Sequence, residues 1–225
     1  MEWRRRVGVV AAAVVAVLLA AGGALADKEQ LHLNARDMAQ AKSIALRLAD
    51  LGGASQGWSG GARQPDPPTS LDCGNGYSPK QSDLVVTGHA ASGFSLQGVQ
   101  ITNQVEILKT ERMVQLDWQR TVESAQLLPC LRRLFAARLP TSERFVSFDR
   151  ITFPKVGTYT ALYRAVIEVG STAKTRVLVD FALVGVGRSE ITLITSAPYV
   201  AVDAVVAAER RLAQTLVARA TPGAA

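Results

Sequence analysis

The sequence predicts a single α+β domain in which an antiparallel β-sheet is flanked by helices. Three observations carry this reading. Apolar residues recur at helical spacing at both ends of the chain beyond residue 26, at Met38, Ala41, Ile44, Leu48 and Leu51 and again at Val202, Val205, Val206, Leu212 and Leu216. Between residues 145 and 195, four runs of period two follow one another with only short turns between them. No internal repeat and no Pro/Gly linker separates two apolar sets, so one core should serve residues 27–225.

The first helix is expected from about Ala35 to Leu51, with Asn34 as N-cap, Asp37 three residues on, and Gly52-Gly53 as its stop. Gly57 to Ser78 is rich in Gly, Pro and Ser and reads as a long loop. Strands are expected at Leu84–His89 and Ile101–Leu108, with Ala90–Gly93 as a turn region and Ile101, Val105 and Ile107 on one face. Helical spacing returns at Glu111–Arg120, where Val114 and Trp118 face the core, and from about Glu123 to Ala137, with Pro129 near its first turn. The four period-two runs are Phe145–Phe153, Tyr159–Val169, Lys174–Val186 and Glu190–Thr195. The third is apolar on nearly both faces and should be central, so Asp180 within it needs a partner, Arg164 or Arg176. A last helix is expected over Asp203–Arg219.

Residues 1–26 have the order of a secretory signal: Arg4-Arg5-Arg6, an apolar run from Val7 to Ala20, then Ala24-Leu25-Ala26 before Asp27. Cleavage after Ala26 is the natural expectation; the alternative is an anchor, since Val7 to Ala26 is just long enough to span a bilayer. Removing three Arg and one Glu takes the formal charge from +6 to +4. The Arg132-Arg133 and Arg210-Arg211 pairs sit in helical patterns without interleaved aromatics, which argues against a nucleic-acid partner. Two Cys and two His exclude zinc-finger arrays, iron–sulfur clusters and disulfide-dense scaffolds, and no cofactor is expected. In an oxidising compartment Cys73 and Cys130 should pair, tying the long loop to a helix. A loop this long and this constrained points toward a ligand.

Several features together resemble a known family. Asp50-Leu51 followed by Gly57-Trp58, then Cys73-Gly-Asn-Gly-Tyr77, Ser82-Asp83-Leu84-Val85-Val86-Thr87-Gly88, Pro129-Cys130-Leu131 and the strand run before Gly187-Arg188 look like the PknH-like extracellular domain. That domain is the sensor region of some mycobacterial receptor kinases and also occurs in secreted or lipid-anchored actinobacterial proteins. The likeness runs from about residue 34 to 220. It implies an extracytoplasmic, helix-flanked antiparallel sheet with a ligand-binding cleft and no catalytic residues. This chain differs in having no kinase portion and one Cys pair where the kinase sensors have two.

Four features look chemical. Gly57-Trp58-Ser59-Gly60-Gly61 fits G-x-S-x-G, but Ala-Arg-Gln-Pro-Asp-Pro-Pro follows where a nucleophile elbow needs a helix. Ser171-Thr172-Ala173-Lys174 fits S-x-x-K but lies between two strands. His89, at a strand end, is either a ligand contact or base, or a hydrogen-bonded surface residue. Trp58 either stacks on a ligand or anchors its loop. The expectation is thus a non-catalytic, sensor-like binding domain using a cleft beside the Cys73 loop, with Trp58 and His89 as candidate contacts and an unidentified small molecule or envelope protein as partner. The alternatives are a serine hydrolase built on Ser59 and His89, or an envelope interaction module with a flat apolar patch in place of a cavity.

Overall fold

The computed structural model describes residues 27–68, 71–73, 77–170 and 174–221, so the expected leader and part of the S-x-x-K match lie outside the described residues. The strands are β1 (Gln30–Leu31), β2 (Ser59–Arg63), β3 (Val85–Leu96), β4 (Val99–Leu108), β5 (Glu143–Ile151), β6 (Tyr159–Val169), β7 (Thr175–Val186) and β8 (Ser189–Pro198). Among the described residues four α-helices accompany them: α1 (Ala35–Ile44), α2 (Glu111–Arg120), α3 (Leu127–Arg138) and α4 (Val202–Ala220). All strands join one sheet in the order β1-β3-β4-β8-β7-β6-β5, with β2 lying further along the same outer edge of β3. Every pairing is antiparallel except the two-residue match of β1 with β3, which makes the sheet mixed at that edge. The α+β class and the helix-flanked sheet are as the periodicities predict.

Two helix layers cover the two faces. On the first, α1 and α4 bury Ala41, Ile44, Leu212 and Leu216 against Phe94, Ile101, Val105, Leu162, Ala182 and Leu193. On the second, α2 and α3 bury Val114, Trp118, Leu127 and Phe135 against Phe148, Tyr163, Ile167 and Val179. The strict alternation along β6 divides it cleanly, Tyr163, Ala165 and Ile167 facing the second layer and Leu162 the first. β7 is interior, and Asp180 lies opposite Arg164 in the β6–β7 ladder, where the guanidinium donates two hydrogen bonds of 2.7 and 2.5 Å to its carboxylate. Glu209 of α4 is buried beside this pair.

Local corrections to the sequence reading have identifiable causes. Asn34 caps α1 through the Asp37 N–H at 2.9 Å, but the helix ends at Ile44 and a short 3-10 turn, Leu48–Leu51, replaces its expected last turns. The cause is tertiary: Ala45 is extended, and the Leu46 N–H donates to Asn103 Oδ1 of β4 at 2.9 Å. Ala90–Gly93 is no turn but the middle of a twelve-residue β3. Its small residues allow close approach: a Cβ on Gly88 would lie 2.3 Å from the Asp37 carbonyl, and one on Gly60 of β2 would lie 2.1 Å from the Gly93 oxygen. The turn comes at Gln97-Gly98, both with positive φ (40° and 88°), the conformation that matches the twist of a two-residue hairpin. The stretch read as a loop from Gly57 onward therefore contains an edge strand. β5 and β3 each carry a register irregularity, at Phe145/Ser147 and Val86/Gly88.

Candidate functional site: a two-part cavity beneath the disulfide-tied loop

On the second sheet face, apolar side chains dominate β5, β6 and β7, but β4 and β8 present polar ones. The register puts Gln104 opposite Thr192 and, one pair further, Glu106 opposite Glu190. Two glutamates directly opposed on one face repel, and a sheet carries such a pair only where something else compensates. These side chains do not face bulk solvent, because the chain after β2 crosses over them. Asp66, Pro67 and Pro68 roof the β4–β8 end, and Leu71 roofs the apolar end. The roof is fastened at four points. Arg63 makes a bidentate ion pair with Asp66 (2.6 and 3.1 Å). Cys73 is bonded to Cys130 of α3, Cα–Cα 5.4 Å. The Tyr77 hydroxyl donates to the Arg120 carbonyl at 3.0 Å, and Arg120 clasps Asp83 at 2.6 and 3.0 Å.

The space beneath this roof has two parts. The larger, about 320 Å³, is walled by Leu71, Trp118, Val122, Leu127, Leu131, Phe135, Phe148, Tyr163, Phe181 and Leu183. The smaller, about 250 Å³, is walled by Glu29, Arg63, Asp66, Gln104 and Glu106 among others. They meet at Gln81, Asp117, Glu190 and Thr192, which line both. The site is thus an apolar chamber opening onto an acidic one.

The acidic end is electrostatically unusual. Glu106 and Glu190 are half-buried and line the smaller part of the cavity. Burial raises Glu29 to about 9, Asp117 to about 6, Glu106 above and Glu190 well above the usual carboxylate range, and neighbouring carboxylates add to the rise at Glu29, Glu106 and Glu190. Gln104 ties the roof to the floor, accepting from the Asp66 N–H at 3.3 Å and donating to Glu106 Oε1 at 3.0 Å. Glu190 Oε1, Asp117 Oδ1 and Gln81 Oε1 are buried and have no hydrogen-bond partner among the described residues. Arg63, the cation in this wall, is already committed to Asp66.

The residues singled out from sequence are dispersed. The Cys73–Cys130 bridge forms, and it holds the roof. Trp58 packs with Leu48 and Leu51 against the core of the opposite sheet face and lines neither part of the cavity. His89 sits opposite Glu106 in the β3–β4 ladder yet is not among the lining residues; partial burial lowers its pKa, favouring the neutral imidazole. Ser59 opens β2, an edge strand, and its hydroxyl meets the Ser95 hydroxyl at 3.2 Å. Ser95 is six residues beyond His89 on β3, so Ser59 and His89 are held roughly 20 Å apart along the strand, and the structure does not bring them together. Residues the sequence reading passed over, Glu29, Glu106, Asp117 and Glu190, build the acidic end. For Glu106 and Glu190 the one signal was polar alternation in β4 and β8, which reads equally as a solvent face; Glu29 and Asp117 had none. Compared with family models, curated proteins and solved structures, the chain matches none, so the likeness to the PknH-like extracellular domain rests on its sequence motifs alone.

Proposed function

We propose that this protein is a non-catalytic, sensor-like extracytoplasmic domain that takes a small, largely apolar molecule into the chamber between the sheet and α2–α3. The carrying observation is the 320 Å³ space lined by aromatic and aliphatic side chains beneath a covalently fastened roof. Protein interiors ordinarily close such space by packing, and concave apolar walls with a few polar groups at one end are the usual form of a small-molecule site. The expected leader and the disulfide support an extracytoplasmic setting. Kinship with the PknH-like extracellular domain belongs to the same proposal.

The test uses residues 27–225 and the neutral dye N-phenyl-1-naphthylamine. Saturable fluorescence enhancement at one dye per chain is expected, and Leu183→Phe, which fills the chamber floor, should weaken it at least tenfold. Absence of saturable binding, or equal binding by the filled variant, would overturn the proposal.

A further inference from the structure

We propose that Glu29, Glu106 and Glu190 form a binding site for a hard divalent cation, calcium foremost. Each offers a carboxylate oxygen, and the three oxygens lie within 4.8 Å of one another. The centre of a triangle with sides of at most 4.8 Å is no farther than about 2.8 Å from its corners, so an ion there reaches calcium–oxygen distances of about 2.3–2.6 Å with small side-chain movements. The three come from separate segments: Glu29 at the head of β1, Glu106 on β4 and Glu190 on β8.

Independent observations point to an occupant. Asp117 and Gln81 reach the same cavity from outside the triad, and each has a buried side-chain oxygen, Oδ1 and Oε1, with no partner among the described residues. Together they would raise the oxygen donors from three toward the six to eight that calcium takes, with water completing the set. The donor set is all oxygen, without sulfur or imidazole, which disfavours soft and borderline metals. Charge selects a divalent ion over a monovalent one. With Asp117 the ionised site carries four negative charges, Arg63 being engaged elsewhere, of which a monovalent ion leaves three and a divalent ion two. The opposed Glu106–Glu190 pair, costly as an empty ladder position, becomes a chelate.

This inference stands apart from the apolar-ligand proposal, since the dye reads the chamber and the ion reads the acidic end. Residues 27–225, stripped with a chelator, are titrated at pH 7.5 with calcium, magnesium or n-hexylammonium while the thermal midpoint is followed. Calcium should raise the midpoint saturably. The double variant Glu106→Gln, Glu190→Gln should bind it at least tenfold more weakly. A second measurement needs no variant: terbium luminescence sensitised by the protein, displaced by calcium. No midpoint shift at millimolar divalent ion, an unaltered response in the folded variant, terbium emission indifferent to calcium, or a larger shift from hexylammonium than from any divalent ion would each overturn it.

Discussion

Replacing Glu209 by Gln should stabilise the protein, by an amount that depends on pH. Glu209 is 1% exposed on the inner face of α4, beside Asp180 and Arg164, and neither of its carboxyl oxygens has a hydrogen-bond partner among the described residues. Burial, then the charge of Asp180, raises its pKa from 4.5 to about 8. Between those values the folded chain holds a proton that the unfolded chain has released, so stability declines as pH rises through the window. Below about 4.5 both states are protonated and the group contributes nothing; above about 8 the penalty stops growing. At pH 7 the gap of about 2.5 pH units corresponds to about 3 kcal/mol. Glutamine keeps the shape, removes the titration and offers an N–H to Asp180. Urea unfolding of both proteins at pH 4, 5.5 and 7 measures the difference. It should be small at pH 4 and grow to about 3 kcal/mol in favour of Glu209→Gln at pH 7. A difference that is the same at every pH would refute the reasoning, because the gain would then come from packing or hydrogen bonding.

Gly88→Ala should cost more than about 3 kcal/mol in the same assay, because the new methyl would meet the Asp37 carbonyl at 2.3 Å and the Met38 nitrogen at 2.8 Å, backbone atoms that yield only if α1 lifts off β3. A loss below about 1 kcal/mol would show that the helix is not seated by that contact. Cys73→Ser with Cys130→Ser should lower stability by up to about 4 kcal/mol, since the bridge closes a separation of 57 residues, and should weaken dye binding because the roof loses its covalent anchor. Unfolding and dye titration read the two effects separately.

Periodicity made the interior strands and both helix layers legible because those segments bury a face along their whole length. It failed where the signal was tertiary. Ser59–Arg63, with two glycines, has little intrinsic tendency to extend, and is a strand because β3 offers it an edge. Ala90–Gly93 suggested a turn by composition, although it is the middle of β3, paired with β2 on one side and β4 on the other. The cavity was half legible. A long loop tied by Cys73 foretold a covered face, but Glu29, Glu106 and Glu190 are far apart in sequence, and only the β4–β8 register and the β1 edge bring them together. Trp58, conspicuous as an indole in a glycine-rich stretch, went to the opposite face because Leu48 and Leu51 of the 3-10 turn provide apolar cover there.

The two ends of the sheet bear on how the molecule behaves at high concentration. An unguarded outer strand is a template for another copy. Here one end is broken up by two short strands, of two and five residues, laid along β3. The other, β5, is interrupted by its irregularity at Phe145/Ser147 and carries Glu143, Arg144, Asp149 and Arg150. Arg132 reaches across from α3 to the Phe148 carbonyl at 2.8 Å and to Asp149 at 2.7 Å. An incoming strand would have to displace a guanidinium and pass a kink before forming a continuous ladder. The two edges of the sheet are thereby guarded against edge-to-edge polymerisation.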